Sequence, residues 1–133
     1  MFKKEKFIAT EKIYLDKILY NNKDKEFFIK NGFLKQKINL IEIQDIGIQY
    51  GGKLFLSDKI NQGKNIDGGI ERFFSGKYSN DNHPKIEIVI QLKNGKRIYY
   101  PITLSSTSAK QRMLFVAEDI YDKIINILEG KNG

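Results

Sequence analysis

Apolar residues recur at intervals of three and four near the end of the chain. This spacing forms one stripe on an α-helix. Ser108, followed three residues later by Gln111, has the pattern of a capping box, and Gly130 offers a C-terminal stop. The pattern therefore predicts one amphipathic helix over residues 108–129. The stripe consists of Met113, Val116, Ala117, Ile120, Ile124, Ile127 and Leu128.

Large apolar residues recur at every second position before this helix, over 86–92 and 98–102, and this period predicts two half-buried strands. A two-residue turn at Asn94-Gly95 would place the two apolar sets on opposite faces. A three-residue loop ending in a left-handed Gly95 instead sets Ile90 opposite Ile98 and Ile88 opposite Tyr100. We therefore predict the second register. The predicted core comprises Ile88, Ile90, Tyr100, Ile120, Ile124 and Leu128.

Shorter β patterns fill the first fifty residues. Residues 12–20, 26–30, 33–38 and 46–50 are predicted as strands, with turns at 21–25 and at Asn31-Gly32. The segment 12–20 also fits a short helix. Residues 51–84 hold six of the eleven glycines and are predicted to form a long glycine-rich connection. Within it, Ile70, Phe73 and Phe74 have helical spacing, in a segment short enough to be a strand.

Length and composition suggest one domain over residues 1–133, because 41% hydrophobic residues in 133 suffice for one core. No window approaches the roughly 20 apolar residues that cross a bilayer, and charge returns too early in the N-terminal segment for a signal peptide. The cytoplasm is therefore the default expectation. The chain has no cysteine, which excludes disulfides, thiolate zinc sites and cysteine nucleophiles.

The net charge of +7 raises the question of a polyanionic partner. Twenty of the 23 basic residues are lysine, a bias that an AT-rich genome would also produce. Residues 1–40 carry ten lysines and five acids, a balance of +5, whereas residues 41–133 carry thirteen basic and eleven acidic residues, a balance of +2. A basic face, if present, is therefore expected in the first forty residues.

Strands in hairpins followed by one C-terminal amphipathic helix resemble the bacterial pleckstrin-homology-like domains. The resemblance covers about residues 12–129 and is carried by the stretch "KINLIEIQDIGIQYG" and by the hairpin "IEIVIQLKNGKRIYYPI" that leads into the helix. It implies an α+β, mainly β fold. Two packed antiparallel sheets or a partly open barrel of six or seven strands would be closed by the C-terminal helix.

Lipid-binding members of that family hold inositol phosphates with a lysine on one strand and a basic-x-Arg triplet on the next. Lys30, Lys35 and Lys37 are similar in spacing, which makes them the candidate anion-binding residues. Lys37 stands where the family has an arginine, and lysine lacks the forked geometry of the guanidinium. The turn Asn31-Gly32 is also shorter than the usual lipid-gripping loop. The competing interpretation is that Lys35 and Lys37 line the solvated side of a strand, opposite Leu34, Gln36 and Ile38.

Catalytic and cofactor patterns are weak. None of the Gly-Lys pairs has the spacing of a phosphate-binding loop, so no nucleotide is expected, and no cofactor or metal site is indicated. His83 is interpreted as a loop residue, and the serines at 105, 106 and 108 are interpreted as helix-capping residues. Glu87 with the stretch Gln91-Leu92-Lys93 is similar to a fragment of the metal site of restriction-type nucleases, and an enzyme is the least favoured class.

The favoured function is therefore a noncatalytic binding module that acts through an unknown protein partner or self-association. The alternative is a basic domain that binds nucleic acid or an anionic, phosphoinositide-like membrane through the lysines of residues 1–40. The salt dependence of polyanion binding discriminates between these two classes, because lysine contacts to phosphates weaken steeply with ionic strength.

Overall fold

The chain forms two compact units, Met1–Glu42 and Ile43–Gly133, which we call the N-terminal and C-terminal units. The structure is a computed structural model, and it describes residues 7–77, 85–103 and 110–130. The expectation of a single domain over the whole chain stays a prediction. The start of the C-terminal helix expected at Ser108 lies outside the described residues.

The N-terminal unit is an antiparallel four-stranded sheet with the strands in sequence order. The prediction of one strand or short helix over 12–20 was wrong, because a turn separates two strands there. The apolar positions change parity across this turn, from Ile13 to Ile18 and Tyr20, and both sets are buried. The bounds are β1 Glu11–Tyr14, β2 Ile18–Asn21, β3 Glu26–Asn31 and β4 Leu34–Asn39.

The turn between β3 and β4 differs by one residue from the prediction. Asn31 pairs with Leu34, so Gly32 and Phe33 form the turn in place of Asn31-Gly32. The observed register sets Ile38 opposite Phe27, and both side chains are buried. A turn at Asn31-Gly32 would instead have set Ile38 opposite the exposed Lys25. Burial of the apolar pair accounts for the register.

The C-terminal unit contains the second antiparallel sheet, in the order β6-β5-β7-β8. The predicted hairpin register is confirmed, with Ile90 opposite Ile98 and Ile88 opposite Tyr100. Gly95 has a φ of 91°, the left-handed conformation that the three-residue loop requires. The bounds are β5 Ile43–Tyr50, β6 Lys53–Leu56, β7 Ile86–Leu92 and β8 Arg97–Pro101.

Part of the predicted glycine-rich connection is ordered secondary structure. Besides β6 it contains two helices, α1 Ser57–Lys64 and α2 Gly69–Lys77, and α2 includes the aromatic pair Phe73-Phe74. The Phe74 ring stacks on Tyr50 at 4.9 Å between centroids and meets Phe55 edge to face at 5.0 Å. Aromatic packing thus attaches α2 to the sheet.

The C-terminal helix, α3, spans Lys110–Leu128 and packs against β5, β7 and α2. Five of the six predicted core residues are buried. Leu128 is only half-buried, and the neighbouring Ile127 takes the buried position at 5% exposure. The last turn therefore presents Ile127 to the core and leaves Leu128 at its edge.

The fold class is α+β and mainly β, with two antiparallel sheets and a C-terminal helix, as predicted. The described residues form eight strands, in place of six or seven, because 12–20 forms two strands and β6 was not expected. Each sheet is an open, four-stranded sheet that does not close on itself into a barrel.

Candidate functional site

The three lysines selected from the sequence come together on one face of the N-terminal sheet. Lys30 of β3 pairs directly with Lys35 of β4, and Phe28 pairs with Lys37. Neighbouring residues of a strand point to opposite faces, and directly paired residues share a face. All three lysines therefore lie on one face of the sheet, and the buried Phe27 lies on the other face. Lys35 and Lys37 are exposed and Lys30 is half-buried.

The same face extends across the sheet to β1. Leu19 pairs with Phe28 on one side and with Lys12 on the other, which adds a fourth lysine. Leu19 and Phe28 are half-buried, and the Phe7 ring stacks on Phe28 with 5.2 Å between centroids. The apolar side chains of Leu19 and Phe28 thus lie between the lysines on this face. We call this set the lysine face: Lys12, Leu19, Phe28, Lys30, Lys35 and Lys37.

A fifth lysine lies at the edge of the lysine face and was missed in the sequence. The backbone N–H of Lys30 donates to the carbonyl of Lys17 at 2.7 Å, so the β1-β2 turn lies beside the end of β3. Treating 12–20 as one strand hid this arrangement. The signal that could have revealed it is the parity change from Ile13 to Ile18, which indicates a turn between them.

Ion pairs do not neutralise the lysine face within the described residues, and by the same alternation Glu26 of β3 is an acid on this face. No carboxylate of the described residues lies within ion-pair distance of Lys12, Lys30, Lys35 or Lys37. Like charges directly opposite one another on a sheet are destabilising, so the Lys30–Lys35 pair costs stability in the absence of an anion. The face can accept several phosphate or carboxylate groups, each as a charge contact with a lysine.

A second cluster of charges, in the C-terminal unit, joins α1 to α3. The Lys64 ammonium contacts the carboxylate of Asp122 and lies 3.9 Å from that of Glu118. The buried Tyr121 donates its hydroxyl to Asn61 Oδ1 at 3.0 Å. The charged and polar groups of this cluster have their partners within the protein, so the cluster is a structural link between the two helices.

The pKa values in this cluster follow from burial. Burial raises the pKa of Glu118, the nearby Lys64 lowers it and Asp122 raises it, with a net upward direction. Burial also raises the pKa of the Tyr121 hydroxyl well above its ordinary value, and the surrounding carboxylates, Asp45 first among them, raise it further. Tyr121 is therefore a neutral hydrogen-bond donor.

The Gly-Lys pair at Gly63-Lys64 has a structural explanation. A Cβ on Gly63 would lie 2.6 Å from Cγ of Phe73, so glycine allows α1 and α2 to approach closely. Lys64 forms the ion pairs with α3. The pair therefore serves helix packing, which agrees with its failure to match a phosphate-loop spacing.

The remaining candidates do not assemble a catalytic site in the described part of the chain. Glu87 is 7% exposed and lies 3.9 Å from Lys85, whereas Lys93 is exposed in the β7-β8 turn. No group of metal-ligating side chains occurs in the described ranges. His83 and the three capping serines lie outside those ranges. None of the described helices is long and apolar enough to cross a bilayer.

We compared the chain with family models, curated proteins and solved structures, and found no match in any of the three comparisons.

Proposed function

We propose that this protein is a noncatalytic binding module whose lysine face binds a phosphate-bearing polyanion. The observation that carries the proposal is the direct pairing of Lys30 with Lys35, with no carboxylate of the described residues within ion-pair distance of either lysine. By sequence alone a protein partner was favoured over a polyanion. The gathering of five lysines from three strands and a turn favours the polyanion.

The expected recognition is electrostatic and weakly selective. Lysine is a point charge on a flexible stem, so several lysines can follow a phosphate array without demanding one geometry. Each neutralised phosphate releases condensed counterions, which makes binding steeply salt-dependent. The half-buried Phe28 and Leu19 add apolar contact at the centre of the lysine face.

The fold supports proposing further that the chain is pleckstrin-homology-like. Two antiparallel sheets and a C-terminal helix agree with that element order. Helices α1 and α2, inserted between β6 and β7, are an addition to the order that the family resemblance implied.

The test is the salt dependence of duplex DNA binding, with DNA used as a calibrated phosphate polyanion. Lys30, Lys35 and Lys37 are replaced together by Gln, and the matched control replaces the exposed lysines 59, 93 and 96 of the C-terminal unit. The log-log slope changes by about 0.9 per phosphate contact, so the first variant is expected to lose up to about 2.7 of slope and the control clearly less.

Two results would overturn this proposal. One is equal loss of slope in the test and control variants, which would make the binding a property of total charge. The other is the absence of DNA binding by the unmodified protein even at about 50 mM salt, where phosphate contacts are strongest.

A second candidate function, binding to a protein partner or to a second copy, is favoured by one feature of α3. Phe115 is 72% exposed beside an open cleft of about 370 Å³ that Gly68, Ile70 and Leu114 also line. Sedimentation velocity over a range of protein concentrations tests self-association. The Phe115→Ser variant should sediment as a smaller species than the unmodified protein, and a monomer at every concentration rejects self-association.

A further inference from the structure

Two adjacent turns at one end of the N-terminal sheet expose apolar side chains. In the β1-β2 turn Leu15 is 61% exposed, and in the β3-β4 turn Phe33 and the adjoining Leu34 are 104% and 67% exposed. The turns lie at the same end because the sheet is an antiparallel meander, and the hydrogen bond from Lys30 N–H to Lys17 O links the β1-β2 turn to the end of β3. We call Leu15, Phe33 and Leu34 the apolar end.

Both turns place apolar residues where polar ones are usual. Turn positions favour Gly, Asn and Asp, which tolerate left-handed backbone and remain solvated. Leu15 adopts a φ of 51°, a conformation that costs free energy for leucine. Because its side chain is exposed, burial does not offset that cost. Strain and exposure thus coincide at Leu15, and the neighbouring turn repeats the exposure.

Positive charge surrounds the apolar end. Lys17 follows Leu15 in its turn, and Lys30 and Lys35 flank the turn that carries Phe33. The neighbouring acid within these two turns is Asp16, so the end carries a net charge of +2 from three lysines and one carboxylate. Phe33 lies in the turn, three residues after Lys30 and two residues before its partner Lys35. It therefore projects past the two lysines by several ångströms, at about 3.3 Å per residue.

We infer that the apolar end inserts into the headgroup region of an anionic phospholipid bilayer, with the lysine face contacting the lipid phosphates. This inference rests on the proposed function and names the source of the phosphates. Apolar side chains that project beyond a ring of lysines suit a bilayer, where phosphates lie above hydrocarbon. A nucleic acid offers stacking surfaces for Phe33 but no hydrocarbon layer for Leu15 and Leu34.

The two contributions are expected to be individually weak and jointly sufficient. Each lysine near an anionic surface contributes about 1 kcal/mol of attraction, which corresponds to about a fivefold gain in partition. Shallow insertion of a few apolar side chains adds attraction in proportion to the area buried. Binding is thus expected to require anionic lipid and to weaken with salt.

Insertion is tested with a single tryptophan, because the chain contains none. The Phe33→Trp variant is titrated with vesicles of phosphatidylcholine containing about 30% phosphatidylserine, at about 150 mM salt. A blue shift of emission and quenching by lipids brominated on their acyl chains are expected. The matched control is Tyr99→Trp, which also replaces an exposed aromatic residue but lies in the C-terminal unit, and it should show neither effect.

Affinity is tested with a Phe33→Ser and Leu34→Ser double variant, in two parallel assays. Because both side chains are exposed, the variant should fold normally. Its partition into the anionic vesicles is expected to fall at least about tenfold, while its affinity for duplex DNA changes less than about twofold. The Lys30, Lys35 and Lys37 triple variant should lose both activities.

The outcomes separate this inference from the proposed function. Vesicle binding that depends on the lysines but is unaffected by the double variant, with no blue shift at position 33, would overturn insertion and leave polyanion binding standing. Loss of DNA binding in the double variant, with vesicle binding intact, would make nucleic acid the partner and also overturn it. Failure of the unmodified protein to bind either probe would overturn both proposals.

Discussion

Ile124→Ala tests the docking of α3 on the sheet of the C-terminal unit. Ile124 lies in the middle of the helix and is fully buried. The substitution removes three carbon atoms, worth about 0.8 kcal/mol each as transfer free energy, and the incomplete collapse of the space around them adds a cavity cost. The higher helix propensity of alanine offsets about half a kcal/mol. The expected loss in free energy of unfolding is about 2 to 5 kcal/mol.

The measurement is urea unfolding followed by circular dichroism, with the midpoint and the slope fitted separately. Ile125→Ala is the matched control, since it deletes the same atoms one residue further along, at a half-buried position. Its loss should be clearly smaller. A second transition would indicate that the N-terminal and C-terminal units unfold independently, and each transition would then be fitted on its own.

A loss of less than about 0.5 kcal/mol in Ile124→Ala would contradict the docking of α3, because deleting three fully buried carbons from a packed helix costs more than that. Equal losses in Ile124→Ala and Ile125→Ala would also contradict it. In that case the loss would reflect the helix itself and not the face it turns to the sheet.

Three further predictions concern the C-terminal unit. Gly47→Ala should destabilise by about 1 to 3 kcal/mol or more in thermal unfolding, because the new Cβ would lie 2.3 Å from the carbonyl oxygen of Phe55, a backbone atom that cannot move aside; a neutral result would contradict this. The pKa of Glu118 is raised in the native state, so its contribution to stability is present below the unfolded-state pKa of 4.5 and is lost as pH rises through the native pKa. The stability of Glu118→Gln relative to the unmodified protein should therefore increase from pH 4 to pH 7. The opposite trend would refute this. ATP or GTP with Mg²⁺ should leave the melting temperature unchanged, whereas a saturable rise would demonstrate a nucleotide site that the Gly-Lys spacing did not predict.

Local pattern alone determined the elements whose signal is periodic and long. The stripe of α3 and the alternation of the β7-β8 hairpin depend on residues close in sequence, and both were predicted correctly. The hairpin register followed as well, because only one turn length keeps both apolar sets on the same face. Leu128 shows where this reasoning ends, since periodicity defines a stripe and not which of its edge residues is covered.

Short elements depended on contacts between distant residues. Helix α1 has few apolar residues of its own, and its close approach to Phe73 of α2 depends on the absence of a side chain at Gly63. In the sequence alone Gly63 indicates a loop, because glycine is a poor helix former. Tertiary packing overrides the propensity, so the glycine-rich stretch contains α1, a helix that its composition did not indicate.

The candidate site was likewise indicated in part by the sequence and decided in part by the tertiary structure. The spacing of Lys30, Lys35 and Lys37 was readable in the sequence as a basic pattern on two neighbouring strands. Which residues face one another was decided by register, and the pairing of Ile38 with Phe27 set Lys30 opposite Lys35 and left Phe33 in the turn. Lys12 and Lys17 joined the site only through the pairing of β1 and β2 with the rest of the sheet. Register minimises the free energy of the buried face, and the polar face takes whatever arrangement follows from it.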